Sequence, residues 1–258
     1  MSTILFTIHE GVGVITLNRP DKLNSFNREM SLALQNTLDE CAGNPAIRAV
    51  YITGSGKGFS AGQDLSEIVG ASALSMKQIL SEHFNPIVER IRQLPKPVVA
   101  AVNGVAAGAG ANIALCCDIV VAAQSASFIQ AFSKIGLIPD SGGTFFLPRL
   151  IGWQKASALS MLGDKIQATE AEQMGMIYKV IPDDGFGSAT LQLATTLAQM
   201  PTRGLALTKH ALNQSFANNY QQQLELEDKL QQEAGDTDDY REGVNAFIEK
   251  RPPVFKGK

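Results

Sequence analysis

The chain has 258 residues, of which 45% are hydrophobic and 18% are charged, and its formal net charge is −3. This composition indicates neither intrinsic disorder nor a polyanion-binding surface, so nucleic acid is not an expected partner. A chain of this length buries a substantial core, and with an α/β pattern it commonly forms one domain.

The first hundred residues alternate between apolar runs typical of strands and segments with helical spacing. In chain order they predict a hairpin of strands over 3–9 and 12–17 around Glu10-Gly11, a helix near 27–41, a strand over 49–53, a helix over 76–91 and a strand over 98–102. This alternation indicates an α/β fold.

The alternation continues into the middle of the chain, and the end is mostly helical. The predicted elements are a short buried helix over 110–117, a strand over 119–123, a helix over 144–150, a last strand over 179–181 and long helices up to residue 250. Gly175 is a predicted helix stop, and Thr237 is a predicted cap of the final helix.

The sequence predicts no export, membrane or metal features. The first 17 residues lack a basic start and a long apolar run, and no window approaches a membrane-spanning length, so we expect a cytoplasmic protein without membrane contact. Cys41, Cys116 and Cys117 lack CxxC spacing and predict buried free thiols. The three histidines lack metal-like spacing, so we expect no metal site.

Asp140 is the most informative residue for function. It lies in Gly136-Leu-Ile-Pro-Asp-Ser-Gly-Gly-Thr144, at a Pro/Gly turn between two apolar runs, where a catalytic acid or base is expected. A dry pocket raises the pKa of such a carboxyl and helix amides lower it, and the sequence leaves the balance open. An N-cap role in the following helix is an alternative that is compatible with catalysis.

Two glycine-rich segments are candidate anion-binding turns. In Asn103-Gly-Val-Ala-Ala-Gly-Ala-Gly-Ala111 a strand leads into a helix, so the Ala109 amide is a candidate donor to an anionic oxygen, although these glycines could simply permit tight packing. The dinucleotide-binding pattern is met only in part. The segment 53–64 fails the P-loop pattern and offers the Gln63 amide as a second donor. Two such donors would form an oxyanion hole.

Taken together, these residues resemble the crotonase (enoyl-CoA hydratase/isomerase) superfamily along nearly the whole chain. The resemblance is carried by Leu17-Asn-Arg-Pro-Asp-Lys-Leu-Asn24, Ser60-Ala-Gly-Gln-Asp64, the segment 103–111 and the tail 240–258. It implies an α/β fold with a crotonase-like spiral of repeated ββα turns as a core over residues 1–195. It also implies a helical C-terminal trimerisation region over 196–258.

The resemblance implies that the Gln63 and Ala109 amides hold the thioester oxygen of an acyl-CoA. The residues that it places along the coenzyme A path are Lys22, Leu23, Ser60, Ala61 and Asp64, with Phe247 and Lys250 from a neighbouring subunit. The expected assembly is a homotrimer or hexamer, with an enoyl-CoA hydratase as a further partner. No cofactor is expected beyond the coenzyme A of the substrate.

The chain departs from the hydratases where they carry two catalytic glutamates. In our register these positions are Asn112 and Phe132, so water addition is disfavoured and Asp140 is left as the acid/base. Within the superfamily, the segments 103–111 and 132–144 most resemble isomerases of ring-1,2-epoxyphenylacetyl-CoA. We therefore expect an isomerase that forms oxepin-CoA and also shifts 3-enoyl-CoA double bonds to 2-enoyl-CoA.

Three alternatives stay open at this point: a general enoyl-CoA Δ-isomerase, a dehalogenase-like thioesterase in which the aspartate attacks the aromatic ring, and a catalytically silent acyl-CoA-binding partner of a hydratase. The dehalogenase mechanism needs a histidine base whose position falls at Asn85. Candidates to line the acyl pocket share a large apolar side chain: Phe84, Phe132, Ile138, Phe145 and Phe146.

Overall fold

A computed structural model describes residues 2–69 and 73–258, which contain two β-sheets. In sheet order, the larger sheet consists of β1 (Ile4–His9), β2 (Val12–Leu17), β3 (Ala49–Gly54), β5 (Val98–Val102), β7 (Ile119–Ala123) and β10 (Lys179–Ile181). The smaller sheet consists of β4 (Gly58–Ser60), β6 (Val105–Ala107), β8 (Ser127–Ile129) and β9 (Lys165–Gln167).

The strand pairing forms a spiral. β1 and β2 are antiparallel and are joined by Glu10 and Gly11, whose positive φ angles of 47° and 79° suit a tight hairpin turn. The other neighbours in the larger sheet run parallel. After β3, β5 and β7 the chain passes directly to β4, β6 and β8 of the smaller sheet. The α/β spiral of ββα turns predicted from the sequence is therefore confirmed.

Helices cover the sheets and form the C-terminal part of the chain. The helices before residue 180 are α1 (Arg28–Gly43), α2 (Met76–Gln78), a π-helical turn (Ile79–Phe84), α3 (Asn85–Gln93), α4 (Ala109–Leu115), α5 (Gly143–Ile151), α6 (Trp153–Leu162) and α7 (Ala168–Gln173). Those after it are α8 (Phe186–Gln199), α9 (Thr202–Ser215), α10 (Tyr220–Gly235) and α11 (Asp238–Glu249). The predicted boundary between residues 195 and 196 falls inside α8 and stays a prediction.

Most predicted element ends are confirmed, and one helix differs. Thr237 accepts a hydrogen bond from the Tyr240 amide at 3.1 Å, as a cap of α11 should. Between residues 76 and 91 the spacing predicts one α-helix, but the structure inserts the π-helical turn. A π-helix has more residues per turn, and Ile79 and Phe84, five residues apart, consequently line the same cavity.

The smaller sheet positions the functional site. Its strands β4, β6 and β8 are parallel neighbours, so their carboxyl ends share one edge of the sheet. The segments that leave this edge carry Gln63, Ala109 and Asp140. Residues far apart in the sequence are thereby brought to one place.

The core contains the predicted free thiols. Cys41, Cys116 and Cys117 are buried and unpaired by disulfides, which confirms that prediction. Burial raises the pKa of the Cys41 thiol to about 12, so this thiol is unreactive at neutral pH. Among the described residues, no helix has the length and apolar character needed to cross a membrane, and no group of three or more possible metal ligands occurs.

Candidate active site

A cavity of about 210 Å³ lies where the segments after β4, β6 and β8 meet. Its larger apolar side chains are Leu65, Ile68, Met76, Ile79, Phe84, Phe132, Ile135 and Leu137. Within the described chain, its charged lining residues are Asp140 and Lys134. The sequence pointed to Asp140 alone as a titratable group, and the structure adds the exposed Lys134. A largely apolar cavity with one half-buried carboxylate is typical of an acid/base site.

The Gln63 amide is directed by a bridge between two segments. Phe26 donates its N–H to the Gly62 carbonyl at 2.7 Å and accepts from the Asp64 amide at 2.8 Å. In a parallel bridge, the residue between the two bonded groups turns its own N–H to the opposite side. The Gln63 N–H therefore points away from Phe26, and in the described chain it donates to no protein acceptor.

The Ala109 amide is the second free donor at the cavity. Ala109 is the first residue of α4, so its N–H has no acceptor within the helix. Gly108 precedes it with φ 54° and ψ −129°, a conformation that favours glycine and turns the chain sharply from β6 into α4. A Cβ on Gly62 would lie 3.3 Å from the Ala109 nitrogen, so the segments that carry the two amides are in contact.

Asp140 has an unusually basic carboxyl. Burial in the cavity raises its pKa to about 6, although a hydrogen bond from the Ser141 hydroxyl at 2.8 Å acts to lower it. Desolvation therefore outweighs the lowering influences that the sequence left open. The N-cap alternative is wrong, because α5 begins at Gly143 and its cap position is Gly142, with no side-chain hydrogen bond.

Asn112 holds the main chain of Asp140. The Asp140 carbonyl accepts from the Gly143 amide at 2.8 Å and from the Asn112 Nδ2 at 2.9 Å. The Asn112 Oδ1 in turn accepts from the Gln130 Nε2 at 2.8 Å, and Asn112 is 1% exposed. At residue 112 this chain therefore has a buried amide that fixes the turn at Asp140. Sequence reasoning recognised only that Asn112 cannot act as a carboxylate.

We expect Asn112→Leu to destabilise the fold. The substitution leaves the Gln130 Nε2 without its buried acceptor and removes one of the two donors to the Asp140 carbonyl, which costs about 1–3 kcal/mol. Urea unfolding should therefore show a lower free energy of unfolding. Asn36→Leu is the matched control, since Asn36 is exposed on α1, and its effect should stay within about 0.5 kcal/mol. Equal effects of the two substitutions would contradict the clamp.

Two of the residues predicted along the coenzyme A path form hydrogen bonds or ion pairs with other residues of the chain. Ser60 is fully buried, and its hydroxyl donates to the Asn24 carbonyl at 2.9 Å. Its side chain therefore holds the loop from inside and does not line a ligand path. Asp64 forms an ion pair with Arg19 at 2.8 Å; although burial raises its pKa, hydrogen bonds from Ser66 and Arg19 bring it below the ordinary value.

The other predicted coenzyme A contacts occupy two regions. Ala61 lines the cavity and donates its N–H to the Leu23 carbonyl at 2.9 Å, so Leu23 and the exposed Lys22 lie beside it. Phe247 is 85% exposed and lines a separate groove on the C-terminal helices. Lys250 ends α11 in a left-handed conformation and is also exposed. Neither of these two lines the cavity of its own chain.

The acyl-pocket expectations are met in part. Phe84 and Phe132 line the cavity, whereas Ile138 is 80% exposed. Phe145 and Phe146 face another cavity, between α5 and α9, because α5 carries them away from the smaller sheet. The lining of the candidate site includes no histidine among the described residues, and Asn85 is not part of it. The dehalogenase alternative therefore has no base there.

Comparison with known proteins agrees with this architecture. A family model described as Enoyl-CoA hydratase/isomerase matches residues 7–258. The chain is 48% identical to the 1,2-epoxyphenylacetyl-CoA isomerase of Escherichia coli (strain K12), over 100% of both chains. It is 45% identical to a probable enoyl-CoA hydratase of Rhodobacter capsulatus, over 99% of this chain and 98% of that protein. The structure of an enoyl-CoA hydratase from Bacillus anthracis matches with a TM-score of 0.92 and 34% identity, over 99% of this chain and 100% of that one. The chain belongs to the enoyl-CoA hydratase/isomerase family, the crotonase superfamily.

Proposed function

We propose that this protein is an acyl-CoA isomerase that converts ring-1,2-epoxyphenylacetyl-CoA to oxepin-CoA by proton transfer. One observation carries the proposal: a half-buried carboxylate with a pKa near 6 and two amides without an acceptor in the described chain belong to the same apolar cavity. The 48% identity to an isomerase with this substrate in its name supports the choice of acyl group.

The chemistry begins at the thioester. The Gln63 and Ala109 amides donate to the thioester oxygen and stabilise the negative charge that develops there when the α-proton at C2 leaves. Asp140 takes that proton as a general base and returns it to another carbon. With the aromatic epoxide this transfer accompanies ring expansion to the oxepin. With a 3-enoyl-CoA it moves the double bond to C2.

The same cavity is poorly suited to hydration. Adding water requires a group that activates a water molecule as well as one that moves the α-proton. At the positions of the hydratase glutamates, Asn112 is committed to the Asp140 carbonyl and Phe132 is an apolar wall. A single carboxylate is enough for isomerisation, since it removes and returns one proton.

We extend the proposal to coenzyme A and to assembly. Ala61 lines the cavity and Leu23 and Lys22 lie beside Ala61, so we assign to these three residues the path along which the nucleotide part of the substrate would leave. Tyr240, Phe247 and Ile248 on α11 are largely exposed, so this helix offers an apolar face to a neighbouring subunit. In a homotrimer or hexamer, Phe247 and Lys250 of one subunit would complete the coenzyme A path of the next.

A general enoyl-CoA Δ-isomerase is the second candidate, because the same base and amides suit any acyl-CoA with an acidic α-proton. A silent partner of a hydratase is disfavoured by the half-buried Asp140, whose partial desolvation raises its pKa and is costly without a catalytic use. The deciding assay incubates the purified protein with enzymatically generated ring-1,2-epoxyphenylacetyl-CoA and, separately, with a 3-enoyl-CoA. Oxepin-CoA formation supports the proposal, and turnover of 3-enoyl-CoA alone supports the second candidate.

The pH dependence follows from the pKa of Asp140. A carboxyl acts as a base only when it is deprotonated, and with a pKa of about 6 it becomes protonated as the pH falls through that value. We therefore expect kcat/KM to rise with pH, with a midpoint near 6, and to level off above it. A profile that stays flat between about pH 5 and 8 would contradict Asp140 as the base.

A further inference from the structure

We propose that Ser141 is a positioning residue, whose hydroxyl holds one oxygen of the Asp140 carboxylate and leaves the other oxygen to take and return the α-proton. The inference rests on the proposed function, since it concerns the geometry of the same base. Ser141 does not line the cavity and touches no reacting atom; it acts through Asp140.

The hydrogen bond divides the roles of the two carboxylate oxygens. The Ser141 Oγ donates to Oδ1 of Asp140 at 2.8 Å, and Ser141 is 2% exposed, so water does not compete for this bond. No other side chain in the described part of the chain donates to the carboxylate. Oδ2 is left without a side-chain partner, on a residue that lines the cavity. One oxygen is anchored by a side chain, and the other has no side-chain partner.

The backbone at Ser141 is suited to this contact. Ser141 has φ 51°, a left-handed conformation that costs a residue with a side chain about 1 kcal/mol relative to glycine. The turn is fixed on its other side by the Asn112 amide and the Gly143 N–H, both on the Asp140 carbonyl. The hydroxyl contact is therefore made at a position where glycine would relieve backbone strain.

The effect of Ser141 on Asp140 can be measured as a shift in the pKa of the carboxyl. Lys134 is the other charged residue of the cavity lining among the described residues, and no ion pair joins it to Asp140. Burial raises the pKa of Asp140, and the Ser141 hydrogen bond is the largest influence that lowers it. Removing the hydroxyl must therefore raise this pKa further. A residue with a merely structural role would not move the pH profile.

The test compares Ser141→Ala and Ser141→Gly with the wild type in C2 deuterium exchange of a 3-enoyl-CoA in heavy water, across pH. Both variants should move the acid limb of kcat/KM to higher pH and lose about tenfold in rate near pH 6. The glycine variant also relieves the backbone strain, so it keeps the fold. Ser133→Ala is the matched control, because the Ser133 hydroxyl is buried without a partner, and its profile should equal that of the wild type.

The outcomes separate this inference from the proposed function. Ser141 has no positioning role if a folded Ser141→Gly variant keeps both the acid limb of the pH profile and the exchange rate of the wild type. This conclusion requires that the wild type exchanges the C2 proton and that Asp140→Asn does not. If Asp140→Asn exchanges as fast as the wild type, the proposed function itself fails. Circular dichroism of each variant confirms the fold before its profile is compared.

Discussion

Asp140→Asn is expected to abolish deuterium exchange at C2 of a 3-enoyl-CoA in heavy water, with a loss on the order of 10³-fold. The amide has the shape of the carboxyl but cannot accept a proton at neutral pH. The variant should bind coenzyme A thioesters as tightly as the wild type, because the two amide donors are untouched. Deuterium exchange checks the loss of activity, and calorimetry checks that the variant still binds coenzyme A thioesters. Exchange at the wild-type rate would refute the assignment of the base.

The same substitution should stabilise the protein. The Asp140 carboxyl has a pKa of about 6 in the folded chain, against an ordinary value of 3.8. Between these values the folded state binds more protons than the unfolded state, so wild-type stability falls as the pH rises. Asparagine has no charge to desolvate in the cavity. Above pH 6 the variant should therefore gain at most about 3 kcal/mol in free energy of unfolding. Denaturant unfolding at acidic and neutral pH separates this gain from any packing effect.

Ala109→Pro is expected to lower turnover by about 10²–10³-fold, the cost of losing one oxyanion donor. Ala109 is the first residue of α4, where proline is tolerated because the lost N–H has no helical acceptor. An extended residue is compatible with a following proline. Gly108, with φ 54° and ψ −129°, adopts the mirror image of an extended conformation, which is open to glycine because it has no Cβ. The substitution therefore removes one donor without breaking the helix.

The control for this experiment places proline at an equivalent position away from the cavity. Asp238 is the exposed first residue of α11, and it follows Thr237, whose backbone is extended. Asp238→Pro should retain the turnover of the wild type, and both proline variants should keep its thermal midpoint to within a few degrees. Full turnover in Ala109→Pro would mean that the Ala109 amide does not hold the thioester oxygen.

The sequence predicts the larger sheet well because its strands are long apolar runs with local patterns. The strand over 179–181 is found with the predicted bounds, and α4 is found within two residues of them. The smaller sheet is not predicted, because each of its strands has three residues and is defined by partners distant in the chain. The π-helical turn is not predicted either, because the spacing of apolar residues between 76 and 91 is also that of an α-helix.

The sequence predicts the residues of the candidate site but not the hydrogen bonds that hold them in place. Gln63, Ala109 and Asp140 follow from glycine-rich turns and from the resemblance to the family. The Asn112 clamp and the Ser141 hydrogen bond depend on side-chain directions that no local pattern specifies. Burial is also a tertiary property, so the direction of the Asp140 pKa shift could be resolved only once the cavity was described.

A crystal structure of the protein with phenylacetyl-CoA, which lacks the reactive epoxide, tests the central claim most directly. The thioester oxygen should lie about 3 Å from the nitrogens of both Gln63 and Ala109, and the free oxygen of Asp140 should lie about 3–3.5 Å from C2. A thioester oxygen bound elsewhere, or an Asp140 carboxylate turned away from C2, would contradict the mechanism.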